Sequence, residues 1–400
     1  GEASGSGSAV WNAGVITGGS VELNGTAKGQ GIGVYSNSLG TLKSTVNDIS
    51  IESLSENGHG VYLDSTIDAV ATSIASGSKG ITIKGTSNST ANHYGVVSSK
   101  AITAESGVID ISGANKGTLN AVHIASTSPI TAKKDKVSMT GNALGTASST
   151  ASGVYNYANI QGTSINIEGH SKAAAASSDS YGVFSSGAIS STVDDVSIKG
   201  TSTSSQGLWL QNSIVSKSAI KVSGSSTSTA TTKYGVTNLA AMTANGVVDG
   251  YAIDISGSAD STSQAVYLGN AILNRSNDGA TNVKATQGGI YLATDSSIIN
   301  NSSAGIIKLE AGDGTATSRS KISAGGGATI TQNSNAGITM TTDGVGDLTV
   351  AKTINSGSGN VIIGAGKLLA AGNGGGGQVK TVAGNTITNS SGKTYIYSGK

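Results

Sequence analysis

Cysteine is absent from this 400-residue chain and proline occurs once. The first absence excludes disulfides. The second leaves nearly every backbone N–H free to join a sheet ladder. Charged residues make up only 12% of the chain and nearly cancel, for a net charge of +1. That is roughly half the ordinary charged share, and it argues against a nucleic-acid footprint or a basic membrane patch. No apolar run approaches the roughly 18 residues of a spanning helix. The chain opens at Gly1 with no signal peptide, so a mature or excised piece of a longer protein is expected. Aromatics are scarce, at 12 Tyr, 2 Trp and 1 Phe, and apolar residues reach only 36%. Disorder is nevertheless a poor reading, because disordered chains pair low hydrophobicity with high charge and lack regular apolar patterning.

What the chain has instead is 59 Gly, 64 Ser and 43 Thr, arranged on a repeat. One unit is small–aliphatic–aromatic. It runs through Gly33-Val34-Tyr35, Gly60-Val61-Tyr62, Gly95-Val96-Val97, Ala121-Val122-His123 and Gly153-Val154-Tyr155. It continues as Gly182-Val183-Phe184, Gly207-Leu208-Trp209, Gly235-Val236-Thr237, Ala265-Val266-Tyr267 and Gly289-Ile290-Tyr291. A second unit alternates with it at the same period of about 28 residues, as in Ile49-Ser50-Ile51, Ile81-Thr82-Ile83, Ile109-Asp110-Ile111, Ile165-Asn166-Ile167 and Ile253-Asp254-Ile255. A third apolar site follows the first motif, six residues on in seven of ten copies: Ile67, Ile102, Ile160, Ile189, Ile214, Met242 and Ile272.

Each period therefore carries three short strands of period 2, and no stretch sustains a helical period. Three such strands pair more naturally with their counterparts one period on than with each other. The result is an all-β chain, a parallel β-solenoid with about 28 residues and three strands per coil, its strands about 4.8 Å apart along the axis. Only a thin central column need be dry, which accounts for the low apolar content. Variable Ser/Thr-rich loops follow the second motif, as at Gly85 to Thr90, His170 to Ser180 and Gly224 to Lys233. The reading divides the chain into a long-coil solenoid over 1–300, a shorter-coil continuation over 301–380, and a terminal strand or linker over 381–400, with fraying after about 380. Roughly 13–14 coils make a rod of about 65 Å. Gly325 to Gly327 and Gly374 to Gly377 read as tight turns or the start of a linker.

The "GVY…" and "IDISG" alternation, the segment "GNVIIGAGKLLAAGNGG" and the closing "GNTITNSSGKTYIYSGK" resemble the repeat region of filamentous-haemagglutinin-like exoproteins, the adhesins of two-partner secretion; autotransporter passengers look similar. The resemblance is one of pattern and composition over most of the chain, without the family's amino-terminal secretion domain. It implies a right-handed parallel β-helix, export to the bacterial cell surface or beyond, and a role in attachment, aggregation, biofilm or matrix. The partner would be a host or neighbouring-cell glycan or protein, or the chain itself.

The candidate site is the residue after each aliphatic of the first motif. If the aliphatic points inward, that residue points outward, and opposite parity would put it in the core. Seven of the ten are aromatic: Tyr35, Tyr62, Tyr155, Phe184, Trp209, Tyr267 and Tyr291. Stacked one strand spacing apart, they read either as a ladder that stabilises itself, or as a face for a partner protein or self-assembly, or as a platform for sugar rings. The small residue ahead of each aliphatic is Gly in eight copies and Ala in two, which argues for close packing rather than a positive-φ requirement.

Catalysis and cofactors are not expected. His59, His93, His123 and His170 lack metal spacing and read as exposed or loop histidines. The 23 acidic residues are scattered, whereas a polysaccharide-acting enzyme on this fold needs carboxylates gathered on one face. Asp343-Gly344-Val345-Gly346-Asp347 occurs once and with the wrong spacing for a calcium repeat, and reads as a loop. Sequons stand at Asn24, Asn88, Asn274, Asn300, Asn301 and Asn389, so a glycosylated rod is a further expectation.

Overall fold

The computed structural model describes all residues except 72–78, 126–128, 146–149, 174–179, 229–232, 260–263, 313–319, 344–345, 368–376, 382–383 and 399–400. Parts of the loops after His170 and Gly224, most of the 374–377 glycine cluster, and Gly344 and Val345 therefore lie outside the described residues. Two units are present, Gly1–Ser205 and Gln206–Lys400. Each is a parallel β-solenoid of three sheets, and the described residues contain no helix.

The three sheets correspond to the three apolar sites of the repeat. The long sheet takes the second motif, with strands such as Val21–Ala27, Ile49–Ser55 and Val137–Ala143. The ring-bearing sheet takes the first motif, as in Val34–Ser36, Val61–Leu63 and Val154–Asn156. The third sheet takes Ile102–Ala104, Ile130–Ala132 and their equivalents. Pairing is parallel and in register between successive windings: Ile109, Val137 and Ile165 align in the long sheet, and Val122, Val154 and Val183 in the ring-bearing sheet. All ten aliphatics of the first motif, from Val34 to Ile290, are at most 1% exposed, which settles the parity and puts the following residue outside. The three copies without an apolar residue six positions on have one at eight instead: Leu42, Ile130 and Ile298, all buried. An insertion of two residues keeps the side chain on the inner face, where one residue would have reversed it.

In the second unit Ile307, Ile338, Val361 and Thr394 are successive register partners, at steps of 31, 23 and 33 residues. Shorter windings are expected throughout this stretch, but only the one from Ile338 to Val361 among these three is short, and those on either side are longer than the period of the repeat. Pairing continues past residue 380, where Thr386–Asn389 and Thr394–Ser398 join the third and long sheets.

Two features close the bore. A glycine column runs down the long sheet of the first unit, through Gly85, Gly113, Gly141 and Gly169 in register. A methyl group built on Gly113 would sit inside van der Waals contact of the Ala121 carbonyl oxygen, and on Gly141 inside that of Gly153. The long strand thus passes directly against the start of the ring-bearing strand, with backbone touching backbone. The small residue of the first motif is the other half of this contact, as at Gly153 against the Gly169 and His170 backbone. These glycines have ordinary negative φ, so the requirement is space, as expected.

The second feature is a buried polar column at the corners. Ser55, Ser87, Ser171 and Ser202 are at most 2% exposed, and each hydroxyl donates to a backbone carbonyl, of Gly31, Gly58, Ala151 and Ser180 respectively. Asn274 and Asn300, two of the sequons, are fully buried, donate through Nδ2 to the Gly279 and Gly305 carbonyls (2.6 and 2.8 Å), and accept from the Ser276 and Ser302 N–H groups (both 2.9 Å). In the folded chain they are corner residues, not acceptors for a glycan. Asn24 and Asn301 are exposed.

Gly113→Ala should destabilise the first unit by about 1–3 kcal/mol, the usual cost of forcing atoms into a filled core. Gly14→Ala should stay within about 0.5 kcal/mol, since a methyl there meets nothing within 4 Å. Urea midpoints of the two variants measure the difference, and equal midpoints would remove the glycine column from the account.

Candidate functional site

The outward residues of the ring-bearing sheet form a ladder because in-register pairing puts like positions side by side. In the first unit Trp11 and Tyr35 lie 6.1 Å apart between ring centroids, and Tyr35 and Tyr62 5.5 Å. The next winding has Val97 at the motif position, yet the ladder does not break. Tyr94, three residues earlier, stacks on His59 at 5.4 Å and 17°, and His59 meets Tyr62 edge-on at 5.4 Å. Tyr94 then meets His123 at 5.0 Å, His123 stacks on Tyr155 at 5.6 Å, and Tyr155 stacks on Phe184 at 4.3 Å. In the second unit the same substitution occurs at Thr237: Tyr234, again three residues earlier, lies 5.6 Å from Tyr267, which lies 5.4 Å from Tyr291. Trp209 occupies the register position beside Thr237.

All seven candidate residues thus lie on the outer face, but they are not equally open. Tyr35, Tyr62, Tyr155, Trp209, Tyr267 and Tyr291 are half-buried. Phe184 is only 7% exposed, because Tyr155, Tyr157 and Tyr181 ring it at 4.3–5.7 Å. Trp11, which falls outside the ten motif copies, is the most open ring of the ladder at 68%. Besides the histidines, five rings of the ladder went unrecognised in the sequence: Trp11, Tyr94, Tyr157, Tyr181 and Tyr234. The available signal for Tyr94, Tyr181 and Tyr234 is an aromatic immediately before the motif glycine.

The histidines depart in part from expectation. His59 and His93 lie in loops, as expected, and His123 on the strand Val122–Ile124, but all three pack into this cluster, with His59 and His93 edge-on at 4.8 Å. Burial, and for His59 the neighbouring His93, lowers the His59 pKa to about 4. Burial alone takes His123 to about 4 and also lowers His93. Hydrogen bonding agrees: the Tyr94 N–H donates to His59 Nδ1 (2.9 Å), and the Asn120 amide nitrogen lies 2.9 Å from His123 Nδ1, making each Nδ1 an acceptor. Both imidazoles are neutral aromatic rings. His170 lies apart from them, 3.2 Å from the Glu168 carboxylate, which Lys199 also holds at 2.9 Å and shifts below the usual carboxylate range.

Among the described residues no group of three or more His, Cys, Asp or Glu is arranged to hold a metal. The chain matches no family model, no curated protein and no solved structure. What the site offers is therefore its own geometry: an uncharged strip of rings, fixed to rigid strands and repeated from one winding to the next.

Because His59 and His123 resist protonation when folded, the unfolded chain takes up protons between pH 6.5 and about 4 that the folded chain refuses. Stability of the first unit should therefore be full above pH 6.5 and fall as pH drops toward 4. A His59→Phe, His123→Phe variant should show a flatter dependence over this window. The shifted carboxylates Glu168 and Asp347 act only lower down, as pH falls through the acid range. Thermal midpoints at half-unit pH steps measure this, and parallel curves for parent and variant would contradict it.

Proposed function

We propose that this chain is a structural and adhesive module of the bacterial cell surface or its secreted matrix, of the filamentous-haemagglutinin-like or autotransporter-passenger kind. It mediates attachment or aggregation through repeated non-covalent contacts. The observation that carries this reading is the outward aromatic ladder. A winding that loses its ring at Val97 regains one at Tyr94, and one that loses it at Thr237 regains one at Tyr234. Self-stabilisation accounts for the stacked, half-buried faces. It does not account for Tyr157, 43% exposed and held against the ladder with an open side.

Rings on rigid strands present apolar and polar edges at little entropic cost, which is why Trp and Tyr dominate contact energies at interfaces. A single ring binds weakly. Repetition at one strand spacing turns weak contacts into avidity once a partner spans several windings. The partner that fits is a surface glycan, an extended protein, or a second copy of the chain. The low charge supports contact by stacking and hydrogen bonding rather than by electrostatic capture.

Beads coated with the chain should adhere to bacterial or epithelial cells, and Trp11→Ala, Tyr157→Ala should cut adhesion about tenfold or more while leaving the thermal midpoint nearly unchanged. Sedimentation of the free chain reports self-association separately. Equal adhesion by parent and variant would rule out the ladder as the contact surface.

A further inference from the structure

Beside the ladder in the first unit lies a cleft of about 510 Å³, lined by Gln30, Asn57, Ser89, Thr90, Ala91 and His93. Its residues come from three successive windings, each from the loop that leads into a ring-bearing strand. The volume is within the range of small-ligand sites, roughly 300–1,000 Å³.

The loops are fixed from below. The buried Ser55 hydroxyl donates to the Gly31 carbonyl (2.7 Å) and accepts from the Gly58 N–H (2.8 Å), and the buried Ser87 hydroxyl donates to the Gly58 carbonyl (2.8 Å). The third loop is folded on itself, with the Ala91 N–H on Ser89 Oγ (3.1 Å) and the His93 N–H on the Ala91 carbonyl (2.9 Å). His93 joins the cleft to the ladder, since its ring meets His59, which stacks on Tyr94.

The chemistry of the lining is narrow. Two carboxamides and two hydroxyls both donate and accept hydrogen bonds, and Ala91 is the only aliphatic side chain among the described residues of the lining. Among the described residues no Lys, Arg, Asp or Glu lines it, and the neighbouring imidazoles are held neutral by burial. An anion would find no countercharge, and an apolar ligand would strand the amides without partners. A compact, uncharged ligand dense in hydroxyls, with C–H faces to lay against rings, satisfies every group present.

We propose that this cleft is a binding site for a neutral saccharide, an inference that rests on the adhesive reading above and names its ligand class. The ladder beside it would take the following sugar units of a chain whose first unit the cleft holds.

The test uses the full chain on an array of neutral, sialylated and sulfated oligosaccharides, with parent, Gln30→Ala plus Asn57→Ala, and Trp11→Ala plus Tyr157→Ala compared. Asn57 is exposed and Gln30 half-buried, so the cleft variant should fold, as circular dichroism checks. The expected result is retention of neutral glycans by the parent and at least a tenfold loss of affinity in the cleft variant. Retention of sialylated or sulfated glycans alone, retention of none, or equal retention by parent and cleft variant would each overturn the proposal. The bead assay separates the two claims. Cell adhesion without neutral-glycan binding overturns the cleft alone. Neutral-glycan binding that needs Gln30 and Asn57, with no cell adhesion, overturns the adhesive reading alone.

Discussion

Within each unit the backbone hydrogen bonds run between windings, in parallel and in register, and the rest of the structure follows from that constraint. A strand that pairs with its own counterpart one period on must match it in length, phase and face. Val122, Val154 and Val183 stack because their backbones do, and His123, Tyr155 and Phe184 stack on the other side for the same reason. Core and surface ladder are thus two consequences of one ladder of N–H···O=C bonds. The near absence of proline is the matching requirement on composition, since each missing N–H would leave an orphan carbonyl on the next winding.

The same constraint explains how a chain with 36% apolar residues keeps a filled core. The bore is narrow enough that a few inward aliphatics per winding fill it, as Ile109, Ile111, Val122, Ile124 and Ile130 do in one turn, and the glycine column lets the long and ring-bearing strands touch. Corners are where such a fold is exposed to failure, because the backbone turns there and leaves groups unpaired. Serine and asparagine meet this need from inside: Ser171 to Ala151, Ser202 to Ser180, Asn156 to Ala158, Asn300 to Gly305. Much of the Ser/Thr/Asn richness is therefore interior hydrogen bonding rather than solvated loop, and this is why Asn274 and Asn300 look like sequons yet are sealed.

The solenoid was legible in the sequence because its signals are short-range and repeated. Val34-Tyr35 and Ile109-Asp110-Ile111 declare both period and parity, and parity put the rings outside. What escaped was everything defined across the bore or between motifs. Nothing in the residues flanking Gly113 marks its role, which lies in the Ala121 carbonyl it faces. The burial of His59 and His123 by neighbouring rings is not written in their flanking residues. Tyr94 and Tyr234 sat just ahead of the motif copies, and their part in the ladder emerges only when Val97 and Thr237 are seen to leave a gap beside them.

That compensation bears on what the ladder is for. If stacking were an accident of repetition, the gap at Val97 would simply interrupt it. Instead the column continues through a residue three positions away, using an imidazole kept neutral so that it can stack between phenols. A charged histidine there would bring hydration into the strip and break its uniform, uncharged character. Stability alone asks only that each ring be covered. An unbroken, uncharged column with an open edge at Tyr157 satisfies the further demand of a surface that must look the same from one winding to the next.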